Sequence, residues 1–152
     1  MIVAYASYAV ALLLVAAFVI EIRTGRIPNW LVLLLVAVFV VMFALADDRT
    51  ALYWQIGMGA AMFIFGLVLF AVGGVGAGAV KLLAATALFI PPGAAIYTFL
   101  AFLVVFFVSS FIFVQIRKAF GSEDSQWHLM AKQVIPLSFS IAVAGILGMF
   151  VF

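Results

Sequence analysis

The sequence contains no cysteine, so disulfide bonds and thiolate metal sites are excluded. Its single histidine cannot assemble a metal site either, and we expect neither a metal nor another cofactor. Charge is also scarce, because 8% of the 152 residues are charged and 70% are hydrophobic. Soluble domains average about 25% charged and about 45–50% apolar residues. So few polar side chains cannot cover a soluble globule, and the sequence predicts an integral membrane protein with lipid as its main solvent.

Charge, glycine and proline interrupt the apolar sequence and divide it into six segments. A helical span needs about 20 apolar residues, and the fourth segment is clearly shorter, ending at Pro91, Pro92 and Gly93. Its flanking glycines and prolines are typical of a broken element. We therefore predict an all-α polytopic membrane protein, one domain over residues 1–152, with six transmembrane helices and a short fourth helix that is a candidate for a break. The six segments are 2–20, 30–45, 51–72, 80–90, 94–114 and 134–152.

The first segment is expected to be a retained span, because no basic residue precedes it and it is too long for a cleavable signal peptide. An alternative topology has five crossings, with segments four and five forming one kinked helix. Basic residues favour six crossings, since six of the seven then share one side and mark it as cytoplasmic, with both termini outside. The small net charge of +2 thus reflects topology, and no nucleic-acid partner is expected. The six residues are Arg23, Arg26, Lys81, Arg117, Lys118 and Lys132; Arg49 lies opposite.

The turn after the first segment contains an acidic residue, Glu21. An acid at the end of an apolar span is costly unless it reaches the interface or a partner, which makes it a functional candidate. Pairing of Glu21 with a boundary arginine is an equally good interpretation. Pro28 fits the first turn of a new helix, and Arg23 and Arg26 anchor the boundary.

A second notable segment, residues 73–85, is rich in glycine and contains Lys81. It does not fit a phosphate-binding loop, because no soluble strand precedes it and the lysine is not spaced as in a P-loop. Glycines permit close backbone approach at the mouth of a membrane helix. On composition alone, a flexible loop with Lys81 as a topology anchor is the simpler interpretation. A third segment begins the last span, where Pro136 is followed by Ser138 and Ser140, which can bond to backbone carbonyls.

In order along the chain, these three segments resemble the motifs of the type IV prepilin peptidase family, particularly its short members that serve tight-adherence pili. The family belongs with the intramembrane aspartic proteases of the GxGD class. Its first motif resembles D-x-R-x-x-R-I-P-N, and here Glu21 stands at the aspartate. Its second resembles G-x-G-D-x-K-L-L-A-A, and here Ala79 stands at the aspartate. Its late I-P-aromatic element is echoed with Leu137 in place of the aromatic residue. The matching residues are Arg23, Arg26, Ile27, Pro28, Asn29, Gly76, Gly78, Lys81, Leu82, Leu83, Ala84, Ala85, Ile135 and Pro136.

The resemblance implies a cofactor-free endopeptidase of the bacterial inner membrane. Two aspartates would share a proton and activate water to cut a prepilin at the cytoplasmic face, between its basic leader and its apolar helix. The positions of Glu21 and Ala79 on one predicted face suit such a dyad. The family's larger members also methylate the new N-terminus through a cysteine-containing segment, which this sequence lacks, so we expect peptidase chemistry only.

The two departures from the motifs predict that this chain does not hydrolyse prepilins appreciably. Glu21 keeps an acid but moves it by one methylene, and Ala79 supplies none. Asp47 and Asp48 lie on the opposite face, while the loop with Glu123 and Asp124 is more simply a solvated turn. Either a natural pseudopeptidase or an engineered replacement explains the sequence, and alanine at residue 79 favours engineering.

Two other functional classes compete with the peptidase interpretation. The first is a non-catalytic membrane subunit that binds prepilins or pilus-assembly proteins. The second is a small transporter, which only the broken fourth segment supports. Close helix approach at Gly57 with Gly59, and at Gly145 with Gly148, would suit the binding subunit.

Overall fold

The computed structural model describes residues 2–72, 75–120 and 137–152, without the side chains of residues 2, 3, 117, 119 and 120. Every regular element in these ranges is helical, which confirms the all-α prediction. Lipid favours this outcome, because a helix satisfies its backbone hydrogen bonds internally. The helices are α1 (Ile2–Thr24), α2 (Asn29–Leu45), α3 (Thr50–Ala71), α4 (Ala77–Ala87), a 3₁₀ turn (Pro92–Ala94), α5 (Ala95–Phe120) and α6 (Leu137–Phe150).

Helix α1 is longer than the predicted segment and carries Glu21 in its last turn. It ends at Gly25, whose φ of 67° lies in the left-handed region and whose N–H donates to the Glu21 carbonyl at 2.7 Å. Glycine at this position ends the helix without a side-chain clash. Helix α4 begins and ends earlier than the predicted segment 80–90. Its end is earlier because the chain turns before Pro91.

Contacts between the helices show that consecutive helices run in opposite directions. At one end the rings of Tyr8 and Phe150 lie 5.2 Å apart, joining the start of α1 to the end of α6. At the other end the Lys81 ammonium on α4 donates to the Asn29 side chain on α2 at 3.0 Å. We call this second end, which also carries Glu21 and Ala79, the motif end, and the first the far end.

Helices α4 and α5 are separate and antiparallel. Near the far end, Ile90 and Thr98 both approach Gly148 of α6. Nearer the motif end, Ala79 of α4 and Phe107 of α5 line one cavity. The alternative in which segments four and five form one kinked helix is therefore wrong for this structure.

The helices differ in their ability to cross a bilayer. Residues 4–24, 50–71 and 92–116 are long and apolar enough to do so, whereas α2, α4 and α6 are shorter, with 17, 11 and 14 residues. At 1.5 Å per residue, α4 spans about 16 Å, roughly half of the hydrocarbon layer. Residues 2–72, 75–120 and 137–152 thus contain three helices that meet the length requirement and three shorter apolar ones.

Helices α4 and α6 lie in the interior, and glycines let their neighbours approach. A Cβ added to Gly145 would lie 2.6 Å from the Thr86 methyl group and 3.2 Å from Leu14, so α1, α4 and α6 meet at this point. Gly148 and Gly59 are also in close contact with neighbouring side chains, as small residues in membrane helices often are. Gly57 has no such neighbour within 4 Å, so its predicted role in close helix approach is wrong.

Candidate active site

The carboxyl group of Glu21 is buried and contacts the first turn of α6. The Glu21 side chain is 9% exposed and that of Ser138 is fully buried. One oxygen, Oε2, accepts a hydrogen bond from the Ser138 backbone N–H at 2.9 Å and another from the Ser138 hydroxyl. The first N–H groups of a helix have no partner within it and carry partial positive charge. Glu21 therefore joins the end of α1 to the start of α6.

The backbone of the turn before α2 lies directly against the start of α4. A Cβ added to Gly78 would lie 3.1 Å from the Ile27 Cβ and 3.2 Å from the Ile27 carbonyl oxygen. Only a residue without a side chain allows this approach without displacing Ile27. Pro28 follows in extended conformation and precedes α2, where the Asn29 side chain accepts the hydrogen bond from Lys81. The first two motifs are thus in direct contact, although they are about 50 residues apart.

Ala79 lies in the first turn of α4 and is 5% exposed. Its N–H donates to the Gly76 carbonyl at 3.0 Å, which starts the helix. Its side chain lines a cavity of about 200 Å³ together with Leu137, the first residue of α6. The first turn of α6 therefore borders residues 21 and 79, touching Glu21 through Ser138 and the Ala79 cavity through Leu137.

The remaining predicted site residues are distributed around this centre. Arg23 and Arg26 are exposed at the motif end, and Gly76 is exposed just before α4. Pro136 and Ile135 lie outside the described residues, as do Glu123 and Asp124. Within the described ranges, no group of three or more histidine, cysteine or acidic residues is placed to hold a metal ion.

Asp47 and Asp48 lie at the far end, between α2 and α3. The Asp48 side chain accepts a hydrogen bond from the Thr50 N–H at 2.9 Å, and this bond lowers the pKa of Asp48. The Arg49 guanidinium lies over the Phe43 ring, 5.3 Å from its centroid. These groups are separated from Glu21 by the length of the bundle.

Ser138 was not among the predicted site residues. The sequence showed a serine in the first turn of the last span, but its pattern was that of a serine bonding to its own helix. Its actual partner is 117 residues away in the chain. A buried acid requires a hydrogen-bond partner, and this requirement was the one signal that could have pointed to a residue such as Ser138.

Residues 8–116 match the model of the type IV leader peptidase family. The chain belongs to this family. The match covers more than half of the chain, includes residues 21 and 79, and confirms the resemblance inferred from the motifs. Membership identifies the chain as a membrane prepilin-type peptidase by family, hence a hydrolase by resemblance. No curated protein and no solved structure matches the chain.

Replacement of Ser138 by alanine is expected to lower the free energy of unfolding by about 1–3 kcal/mol, because one donor to the buried Glu21 carboxyl is lost. Thermal unfolding of the purified protein in detergent measures this change. Ser138→Thr keeps the hydroxyl and should recover most of it. Ser110→Ala is the matched control, since the buried Ser110 hydroxyl has no hydrogen-bond partner within the described ranges. Equal effects of Ser138→Ala and Ser110→Ala would contradict the role of Ser138.

Proposed function

We propose that the chain has the scaffold of a membrane aspartic endopeptidase that removes the basic leader from prepilins, and that its chemistry is switched off. The observation that supports this most is the convergence of the motif segments at one end of the bundle. Gly78 packs against Ile27, Lys81 bonds to Asn29, and Glu21 bonds to the start of α6. Residues 21 and 79, which would carry the catalytic acids, both border the first turn of α6.

The reaction requires two carboxyl groups, one acting as base toward water and the other as acid toward the peptide. Here residue 21 supplies one carboxyl and residue 79 supplies a methyl group. Asp47 and Asp48 lie at the far end and cannot replace the missing acid. Loss of an acid or base group typically costs about 10²–10⁴-fold in rate. The proposed outcome is a GxGD-type scaffold without a working dyad.

The proposed topology has six crossings with the motif end in the cytoplasm. Arg23, Arg26 and Lys81 are at the motif end, whereas Arg49 is at the far end. This excess of basic residues supports a cytoplasmic motif end, which would put both termini of the chain outside. The four tyrosines are exposed toward the far end, as expected of an interfacial belt: Tyr5, Tyr8, Tyr53 and Tyr97. In a bacterium this membrane would be the inner membrane.

The proposed substrate is a prepilin with a basic leader and an apolar helix, as in tight-adherence pilus systems. The site lies where polar loops meet apolar helices, which matches a substrate whose leader is soluble and whose next segment is not. Short hydrophobic helices and exposed basic residues at the motif end support a site at the membrane boundary. No cofactor is needed for the proposed hydrolysis.

A second candidate function is a non-catalytic subunit that binds prepilins or pilus-assembly proteins. One observation favours it: the Glu21 carboxyl already joins α1 to α6, so an acid at residue 21 has a structural use without a partner acid. Under this proposal the convergence of the motifs preserves a binding surface.

The chain as written is expected to leave a prepilin intact when the two are reconstituted in one bilayer, because residue 79 supplies no acid. The measurement is the fraction of prepilin shortened by the leader, read by mass spectrometry. An active member of the family, reconstituted in parallel, shows that the substrate is cleavable. Leader removal by the chain as written would refute the proposed inactivity. Cross-linking of the intact prepilin would support the binding role.

A further inference from the structure

A groove on the outer surface of the bundle leads from Lys81 toward the far end. Helices α2 and α3 form its walls and α4 forms its floor, and its volume is about 230 Å³. Lys81, Ala84 and Leu88 lie on one face of α4 at helical spacing and line this floor. From the first to the last of them the floor is about 10 Å long. The groove shares no lining residue with the cavity beside Ala79.

The groove is charged at its motif end and apolar along the rest. Of the described residues that line it, Lys81 is charged and the others are apolar. A lysine ammonium has three N–H donors, and here one of them bonds to the Asn29 side chain at 3.0 Å. Within residues 2–72, 75–120 and 137–152, no carboxylate pairs with this ammonium. An occupant that matches the groove has a negative group at the motif end and hydrocarbon beyond it.

The charged end of the groove lies where the apolar helices give way to a polar turn. Helix α1 ends at Thr24 and α2 begins at Asn29, and Arg26 is exposed between them. Trp30, in the first turn of α2, is 54% exposed. Tryptophan favours the headgroup level of a bilayer. The Lys81 ammonium, which bonds to the residue next to Trp30, therefore lies at the depth of phospholipid headgroups.

Charge distinguishes between the occupants that a membrane supplies. The proposed substrate has a basic leader, which Lys81 and Arg26 would repel. A second copy of the chain offers no exposed acid at this level among its described residues, because Asp47 and Asp48 lie at the far end and Glu21 is buried. An anionic phospholipid has a phosphate at the depth of the ammonium and an acyl chain beyond it. Basic pockets between membrane helices bind such headgroups.

We propose that this groove binds one anionic phospholipid. Its phosphate contacts the Lys81 ammonium, and one acyl chain extends over Ala84 toward Leu88 between α2 and α3. Small residues keep this path open, since Ala84 and Ala85 form part of the floor and Gly59 part of the α3 wall. The site goes beyond the proposed function, because lipid binding uses neither residue 21 nor residue 79.

The test is native mass spectrometry of the protein, purified in mild detergent from bilayers of equal parts phosphatidylglycerol and phosphatidylcholine. The chain as written is expected to retain one phospholipid and to favour phosphatidylglycerol about fivefold, the effect of about 1 kcal/mol for one lysine. Lys81→Met should remove this preference, whereas Lys81→Arg should keep it. Arg49→Met is the matched control, because it removes a basic residue at the far end and should leave the preference unchanged.

Further variants separate the charge from the packing around it. Asn29→Ala removes the hydrogen bond but leaves the ammonium, so the preference for phosphatidylglycerol should persist. Ala84→Trp fills the groove and should lower retention of both lipids by at least about tenfold, the effect of displacing about two methylene groups. Ala60→Trp is its matched control, because Ala60 is exposed on α3 and does not line the groove.

Several results would overturn the proposal. They are equal retention of the two lipids by the chain as written, a preference that survives Lys81→Met, and unchanged retention by a folded Ala84→Trp variant. Equal loss of lipid in Ala60→Trp has the same meaning. A lipid-free dimer that Ala84→Trp converts to a monomer would identify a second copy of the chain as the occupant. Val36→Trp fills the groove from α2 and keeps the test valid if Ala84→Trp fails to fold.

Discussion

The double variant Glu21→Asp/Ala79→Asp is expected to cleave a reconstituted prepilin at least about 10²-fold faster than the chain as written. The second carboxyl restores an acid–base pair, whose members each contribute about 10²–10⁴-fold. Aspartate at residue 21 also withdraws the carboxyl from Ser138 by one methylene, about 1.5 Å, and so frees it for the site. The rate of leader removal in proteoliposomes measures the gain.

Single variants show which departure matters more. Ala79→Asp alone should cleave, but about 10²-fold more slowly than the double variant, because a carboxyl misplaced by about 1 Å has a cost of that size. Glu21→Asp alone should remain inactive, since residue 79 still lacks an acid. The matched control is Glu21→Asp/Ala79→Asn, which has nearly the same shape without the second acid. A folded double variant that binds prepilin and does not cut it would favour the non-catalytic subunit.

Gly145→Leu is expected to lower the free energy of unfolding by about 3 kcal/mol or more, the upper range for overpacking a core. Even a single Cβ atom at this position would lie 2.6 Å from the Thr86 methyl group and 3.2 Å from Leu14. Leucine adds three further carbons where α1, α4 and α6 meet. Thermal unfolding in detergent, followed by circular dichroism, measures the loss.

Gly57→Leu is the matched control, because nothing lies within 4 Å of its added Cβ. Leucine has a higher helix propensity than glycine by somewhat less than about 1 kcal/mol, so this variant should be unchanged or slightly more stable. Opposite shifts of the unfolding temperature in the two variants are the expected result. If both glycines tolerated leucine equally, the close packing of α6 against α1 and α4 would be refuted.

Much of the fold was predictable from local patterns. All six predicted segments correspond to helices, because apolar runs bounded by charge, glycine or proline can only satisfy their backbones in lipid as helices. Boundaries were less accurate where a cap decides them. Helix α1 continues past Glu21 until the left-handed Gly25 ends it, and the turn before Pro91 shortens the end of α4.

The candidate site was only partly predictable. The motifs predicted a site around residues 21 and 79 with the neighbouring glycines and lysine, and this assignment stays a prediction. They did not reveal that Glu21 would be held by Ser138, or that Gly78 would contact the backbone of Ile27. The orientation of α5 and the cavity beside Ala79 also lacked a local signal.

The sequence by itself determined that this protein is helical, embedded in lipid and related to leader peptidases. Hydrophobic length and motif spacing are local properties, so they can be read without coordinates. Only the tertiary structure decided which groups meet. The Lys81 bond to Asn29 spans 52 residues and the Glu21 bond to Ser138 spans 117. Such contacts depend on how whole helices pack, and no short stretch of sequence specifies that arrangement.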